Sequence, residues 1–136
     1  MNMTRLHGAV QAYSKVGVAS GVEQASPHRL IQMLMEGAIE KVAKAKGYME
    51  RKDIANKGSH ISWAISIIDG LRASLDKTNG GDIADNLDDL YDYMTRRLIR
   101  ANMENNPDLL DEVISLLRSI KGAWEEIPSA LSQEAG

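Results

Sequence analysis

Apolar residues recur at intervals of three and four along most of the chain, which is the pattern of helices with one buried side. The clearest stretch lies between Ile83 and Ala101, where successive apolar residues are 4, 3, 1, 3, 4 and 3 positions apart. It predicts a helix over Gly80–Asn102, which the two glycines open and Asp82 caps. The predicted core residues of this helix are Ile83, Leu87, Leu90, Tyr91, Met94, Leu98 and Ala101.

Polar caps and prolines mark three further helices. Ser26 precedes Pro27, which is the preferred order of a capping residue and the first helical residue. Asp53 caps the second helix and Asn106 the fourth, and Pro128 ends the fourth. The predicted spans are 27–51, 54–77 and 107–127. The predicted core residues are Leu30, Ile31, Met33, Leu34, Ala38, Val42, Ala45 and Met49, then Ile54, Ile61, Ala64, Ile65, Ile68, Leu71 and Leu75, then Leu110, Val113, Leu117, Ile120 and Trp124.

These four helices and their short connections predict an all-α fold, an antiparallel up-down four-helix bundle. Its core is expected to be aliphatic, because the chain has no Phe and only 4% aromatic residues. The expected organisation is a mobile N-terminal arm over residues 1–25, the bundle over 26–128 and a flexible tail over 129–136. The 136 residues suffice for one domain.

Composition narrows the possible functions. The net charge of −3 argues against nucleic-acid binding, which needs a basic surface. The chain has no cysteine, so disulfides and thiol chemistry are excluded. The early residues show no secretory signal, and no apolar run approaches the roughly 18 residues of a membrane span. We therefore expect a cytoplasmic protein with no membrane insertion.

Catalytic motifs are missing as well. A di-iron site in a four-helix bundle uses Glu-x-x-His pairs, and no Glu here precedes a His at that spacing. The aspartates near the start of the third helix are typical of a solvated surface that complements the helix dipole. His7, His28 and His60 have neither a nearby cysteine nor a serine in an elbow motif to form a nucleophile and base pair. We expect no enzyme, no cofactor and no metal.

Three helices carry more apolar residues than one buried stripe needs. The surplus residues are Met35 and Ile39 in the first helix, Trp63 and Ile67 in the second, and Leu109, Ile114, Leu116 and Ile127 in the fourth. One interpretation is a groove on helices 2 and 4 for another helix or an extended segment. The alternative is that the bundle tolerates wide apolar stripes.

The chain resembles the FliS-type flagellin-specific export chaperones of bacteria over nearly its full length. No single motif is decisive, but their order and spacing together are specific. The matching residues are Ala25 to Ile31, Met33 and Leu34, Gly37 and Ala38, Ile65, Ile67 and Ile68, Gly80 to Ala84, Asn86 and Leu87, Leu90 to Met94, Leu98, Ala101 and Asn102, and Ala123 and Trp124. Met35 departs from the family pattern, which has an aromatic residue there, and Trp63 stands where a polar residue is usual.

This resemblance implies a cytoplasmic chaperone that binds the disordered C-terminal segment of flagellin, prevents premature polymerisation and delivers it to the flagellar type III export gate. It also implies that Tyr13, and Val10 before it, contact apolar surface and the export gate. The residues expected to bind partners are Val10, Tyr13, Trp63, Ile67, Leu71, Leu109, Leu116 and Ile127. The protein itself is expected to be a monomer or weak homodimer. The alternative function is a self-associating helical adaptor or structural protein.

Overall fold

The computed structural model describes residues 25–127. This part of the chain forms four helices: α1 (Pro27–Glu50), α2 (Ile54–Ala73), α3 (Gly81–Glu104) and α4 (Pro107–Glu125). It contains no strand. The prediction of an all-α four-helix bundle is confirmed. The predicted tail, and the predicted arm apart from Ala25, lie outside the described residues.

Short-range hydrogen bonds fix three of the helix starts as predicted. The Ser26 hydroxyl accepts from the Arg29 N–H at 3.1 Å, at the start of α1. An Asp53 carboxylate oxygen accepts from the Asn56 N–H at 3.3 Å, at the start of α2. Asn106 accepts from the N–H of the second residue of α4 at 3.0 Å. Each bond satisfies an N–H group that the helix itself leaves without a partner.

The link between α2 and α3 differs from the prediction. Helix α2 ends at Ala73, four residues early, because the chain turns at Ser74. Helix α3 starts at Gly81, and Asp82 lies in its first turn and does not cap it. The glycines set this boundary: Gly81 has φ of 55°, and a Cβ on Gly80 would lie 2.5 Å from the Asp76 carbonyl oxygen. The prediction of Asp82 as the cap is wrong.

Neighbouring helices run antiparallel around the bundle. Helices α1 and α3 each pack against both α2 and α4, whereas the backbones of the diagonal pairs, α1 with α3 and α2 with α4, do not approach each other closely. The Trp124 indole N–H, near the end of α4, donates to the His28 carbonyl near the start of α1 at 2.9 Å. The Lys57 ammonium, early in α2, donates to the Asn102 carbonyl late in α3 at 3.1 Å. Each helix therefore has two packed sides.

The buried core follows the predicted aliphatic pattern. Leu34, Met94, Leu98, Leu110 and Leu117 are fully buried, and Tyr91 is the only Trp or Tyr ring that is buried among residues 25–127. Several predicted core residues are only half-buried, however. These are Met33, Ile65, Leu75, Leu87, Leu90, Ile120 and Trp124.

Two groups of apolar residues were placed wrongly. Ile54 and Ile83, predicted in the core, are 72% and 73% exposed, because each lies in the first turn of its helix at an end of the bundle. Met35, Ile67, Leu109 and Ile114, predicted as surplus surface, are buried. Because each helix packs against two neighbours, its buried arc is wider than the single stripe on which the prediction relied.

Candidate partner-binding surface

One apolar strip lies where α3 and α4 meet on the outside of the bundle. The Tyr93 hydroxyl and the Arg97 guanidinium, both on α3, donate to the Glu112 carboxylate of α4 at 2.6 and 2.7 Å. One helical turn further toward the bundle end, on the same sides of the two helices, come Leu90 and Leu116. The hydrogen bonds from Tyr93 and Arg97 to Glu112 thus hold α3 and α4 in register beside one end of the apolar strip.

We call this strip the α3–α4 edge. It consists of Ile83, Leu87 and Leu90 on α3 and of Leu116, Ile120 and Ile127 at the end of α4. Ile83 is largely exposed and Ile127 is 38% exposed, whereas the other four side chains are half-buried. On the α4 side, Leu116 and Ile120 lie one helical turn apart, and Ile127 lies two residues after the helix end at Glu125.

Two hydrogen bonds, donated by Tyr93 and Arg97, stabilise the charged form of Glu112. The Tyr93 hydroxyl, and then the Arg97 guanidinium, hold the pKa of this carboxyl below its usual value. The same hydrogen bond to Glu112 raises the pKa of Tyr93. The contact is therefore a phenol donating to a carboxylate, a strong charge-assisted hydrogen bond.

A second group of apolar side chains, three exposed and one half-buried, lies where α2 and α3 meet. We call Ile54, Ile65, Ile99 and Met103 the α2–α3 edge. Ile54 is five helical turns before Arg72, which bonds to Asp88 and Asp92 of α3 and so marks the side of α2 that borders α3.

On α3, Ile99 and Met103 lie three turns beyond Asp88 and Asp92, on the side that faces α2. They are 48% and 76% exposed, which is unusual for large apolar side chains. Gly58, one turn after Ile54, adds open space, because a Cβ there would meet no atom within 4 Å. The α2–α3 edge is therefore a largely exposed apolar surface.

Ion pairs between α2 and α3 lie at the other end of the α2–α3 edge. Asp88 accepts from the Arg72 guanidinium at 2.5 Å and from the Lys77 ammonium at 2.8 Å. Arg72, and then Lys77, hold the pKa of the Asp88 carboxyl below its usual value. A carboxyl with a lower pKa in the folded chain adds stability above its unfolded pKa of about 4, and this stability is lost as the pH falls through the folded pKa.

We therefore expect Asp88→Asn to lower the free energy of unfolding at neutral pH and to flatten its decline in acid. Urea unfolding followed by circular dichroism, between about pH 2 and 7, measures both effects. Asp89→Asn is the matched control, because Asp89 is exposed and has no ion pair within the described part. An acid profile of Asp88→Asn that superimposes on that of the unmodified chain would contradict this role.

Trp63 lies at a third place, between α1 and α2. The Lys41 ammonium lies 3.8 Å from the centre of the Trp63 ring, and Lys41 is buried although it carries a charge. The ring centroid of His60 is 5.8 Å from that of Trp63. Trp63 thus covers the buried Lys41 ammonium, which gives this ring a structural contact within the bundle. Its role in binding a partner stays a prediction.

The predicted partner-binding residues lie in different parts of the structure. Val10 and Tyr13 lie outside the described residues. Leu116 and Ile127 share the α3–α4 edge, whereas Trp63 belongs to the opposite corner of the bundle. Ile67, Leu71 and Leu109 are buried in the core and are not surface residues. Helices α2 and α4 lie diagonally, so the expected groove along both of them is not formed.

The sequence pattern did not predict the exposure of four large apolar side chains. They are Ile54, Ile83, Ile99 and Met103. Ile99 and Met103 carried a signal, because they lie outside the apolar stripe of α3, on a side shared with Asp92 and Arg96. Ile54 and Ile83 carried none, since they continue the apolar stripes of their own helices.

Between residues 25 and 127, no three His, Asp or Glu side chains are grouped to hold a metal ion. Over the same range, no helix combines the length and the apolar character needed to cross a bilayer.

Comparisons with known proteins give the family. The model of the family described as flagellar protein FliS matches residues 9–131. The flagellar secretion chaperone FliS of Vibrio cholerae is 47% identical over 123 residues, 90% of each chain. FliSB of Pseudomonas aeruginosa is 50% identical over 88% of this chain and 94% of its own. FliS of Salmonella typhimurium is 48% identical over 93% and 95%. The chain belongs to the FliS family of flagellar secretion chaperones, which are not enzymes.

Proposed function

We propose that this chain is a cytoplasmic export chaperone that binds the disordered C-terminal segment of flagellin. Binding keeps flagellin from polymerising early, and the complex delivers it to the flagellar type III export gate. The observation that supports this most is the set of large apolar side chains left exposed on a member of this family. They are Ile54, Ile83, Ile99, Met103 and Ile127.

The two edges suit a segment that wraps around the bundle. Both border α3, so a chain that crosses the outer side of α3 reaches the α2–α3 edge and the α3–α4 edge in turn. The outer side of α3 between them is polar, with Asp85 and Asp89 exposed. A bound segment therefore places apolar residues at the two edges and polar residues where it crosses α3.

Binding of a disordered segment also allows release. The segment loses conformational entropy when it becomes ordered, so its net affinity is lower than the buried area alone suggests. Export requires a moderate net affinity of this kind, because the chaperone has to hold flagellin in the cytoplasm and release it at the gate.

We expect an equimolar amount of this chain to stop the growth of flagellin filaments from seeds, followed by light scattering. The chain covers the segment that each added subunit needs for assembly. Analytical ultracentrifugation is expected to show a one-to-one complex with flagellin, and a monomer or weak homodimer without it.

The alternative, a self-associating adaptor, makes the opposite prediction. If the exposed edges pair between copies, the isolated chain forms a stable oligomer and filaments grow at an unchanged rate. That combination would contradict the proposed function. A flagellin truncated before its C-terminal segment is the matched control, and it is expected not to bind.

A further inference from the structure

The link between α2 and α3 contains the one Asn-Gly pair of the sequence, Asn79 followed by Gly80. Asparagine is a thermally labile residue, because the backbone nitrogen of the next residue can attack its side-chain amide. A following glycine favours this attack, since it has no side chain in the way and restricts the backbone least. Asn79 is exposed to water. The local sequence therefore makes Asn79 the most reactive asparagine of the chain.

Deamidation of Asn79 needs no reactant other than water. The Gly80 N–H loses its proton, and the nitrogen lone pair forms a bond to Cγ of Asn79. The Cγ–Nδ2 bond breaks, and the amide nitrogen takes up the proton and leaves as ammonia. Water then opens the cyclic imide at one of its two carbonyl carbons. One opening gives aspartate, and the other gives isoaspartate, in which the main chain runs through the former side-chain carbon.

In the folded link, both reacting groups are hydrogen-bonded to a single residue, Asp76. The Gly80 N–H donates to the Asp76 carbonyl at 2.7 Å, so the attacking nitrogen is engaged as a donor. The Asn79 side-chain amide donates to the Asp76 carboxylate at 3.0 Å, and the Asn79 main-chain N–H donates to it at 3.1 Å. The main-chain bond, and then the side-chain bond, hold the pKa of the Asp76 carboxyl below its usual value. Attack requires these bonds to break.

The fold explains why a glycine follows Asn79. A Cβ on Gly80 would lie 2.5 Å from the Asp76 carbonyl oxygen and 2.7 Å from the Cβ of Ala84. A larger residue at position 80 would therefore displace the backbone at the start of α3. The tight link thus requires the residue type that also makes Asn79 reactive.

We propose that Asn79 is a site of spontaneous deamidation, which the hydrogen bonds of Asp76 restrain while the link is folded and which reacts when the link opens. The product opposes refolding of the link. A carboxylate at position 79 lies beside the Asp76 carboxylate that had accepted from the amide, and isoaspartate adds a main-chain carbon where Gly80 has no spare room. Deamidation thus loosens the first turn of α3, whose Ala84 is buried. This chemistry does not depend on flagellin binding.

Peptide mapping of the full chain tests this proposal. Mass spectrometry, after chromatographic separation of aspartate from isoaspartate, measures the rate of deamidation at neutral pH. The unmodified chain is followed folded and in denaturing urea, beside two folded variants. Asp76→Ala removes the carboxylate that binds Asn79. Asp82→Ala is the matched control, because Asp82 is exposed and makes no hydrogen bond or ion pair with a residue that the structure describes.

Asn79 is expected to deamidate at least about tenfold more slowly in the folded chain than in urea, since the link has to open first. Asp76→Ala is expected to raise the rate in the folded chain about tenfold, and Asp82→Ala to leave it unchanged. Circular dichroism checks that both variants are folded. Asp76→Asn keeps one acceptor oxygen, so an intermediate rate is expected, and it replaces Asp76→Ala if that variant does not fold. Hydrogen exchange in the first turn of α3 is expected to be faster after deamidation.

Four results would overturn the proposal. In the first, Asn79 reacts as fast in the folded chain as in urea. In the second, neither variant of Asp76 changes the rate. In the third, Asp82→Ala raises the rate as much as Asp76→Ala does, so that loss of negative charge, and not loss of the hydrogen bonds, explains the effect. In the fourth, the deamidated chain exchanges hydrogen in the first turn of α3 as slowly as the unmodified chain.

Discussion

Replacing Ile67 by aspartate is expected to unfold the bundle. Ile67 is 2% exposed and belongs to the central apolar cluster. An aspartate there loses the apolar contacts and buries a carboxyl group without a cation to pair with it. Together these effects cost about 4 kcal/mol or more, a large part of the roughly 5 to 15 kcal/mol that stabilises a domain.

Urea unfolding followed by far-ultraviolet circular dichroism measures this effect. The neighbouring Ser66→Asp is the matched control, because Ser66 is exposed on the same helix, and we expect its unfolding midpoint to change little. If Ile67→Asp unfolds like the unmodified chain and instead loses affinity for flagellin, Ile67 is a surface contact and its place in the core is wrong.

The helix starts could be predicted because their causes are local. The bonds made by Ser26, Asp53 and Asn106 reach only two or three residues along the chain, so the sequence contains both partners. The start of α3 was harder to predict from the sequence. It depends on the close approach of Gly80 to the Asp76 carbonyl, which in turn depends on the turn that the intervening residues make.

The exposed surface could not be predicted, because exposure depends on which helices are neighbours and on where along the bundle a residue lies. Leu109 and Leu116 lie on the same side of α4, two turns apart, yet the first is buried and the second only half-buried. Ile83 and Leu98 belong to one apolar stripe of α3, but only Leu98 lies deep enough to be covered. In each pair the two residues follow one apolar stripe, so the sequence pattern does not distinguish them.

Placing aspartate at both Ile83 and Leu116 is expected to weaken flagellin binding about 100-fold or more. Leu116 lies level with Leu90, and Ile83 lies two helical turns, about 10 Å, further along the α3–α4 edge, so a segment seated along this edge contacts both positions. Each substitution removes an apolar contact and forces the segment to cover a charge. Because Ile83 is largely exposed and Leu116 half-exposed, we expect the double variant to remain folded, with a loss of stability of about 1 kcal/mol.

Ala43→Asp provides the matched control for charge. It adds a carboxylate at an exposed position of α1, a helix that borders neither of the two edges. We expect this variant to bind flagellin as tightly as the unmodified chain does. A loss of binding in Ala43→Asp equal to that of the double variant would mean that added negative charge, and not the apolar edge, explains the effect.

The central claim is that apolar surface left open on this bundle is covered by the C-terminal segment of flagellin. Isothermal titration calorimetry of that segment into the unmodified chain, the double variant and the control tests it most directly. We predict one site, a negative heat-capacity change that reports apolar burial, and binding lost in the double variant alone. Equal affinity for all three proteins, or no binding to the unmodified chain, would contradict it.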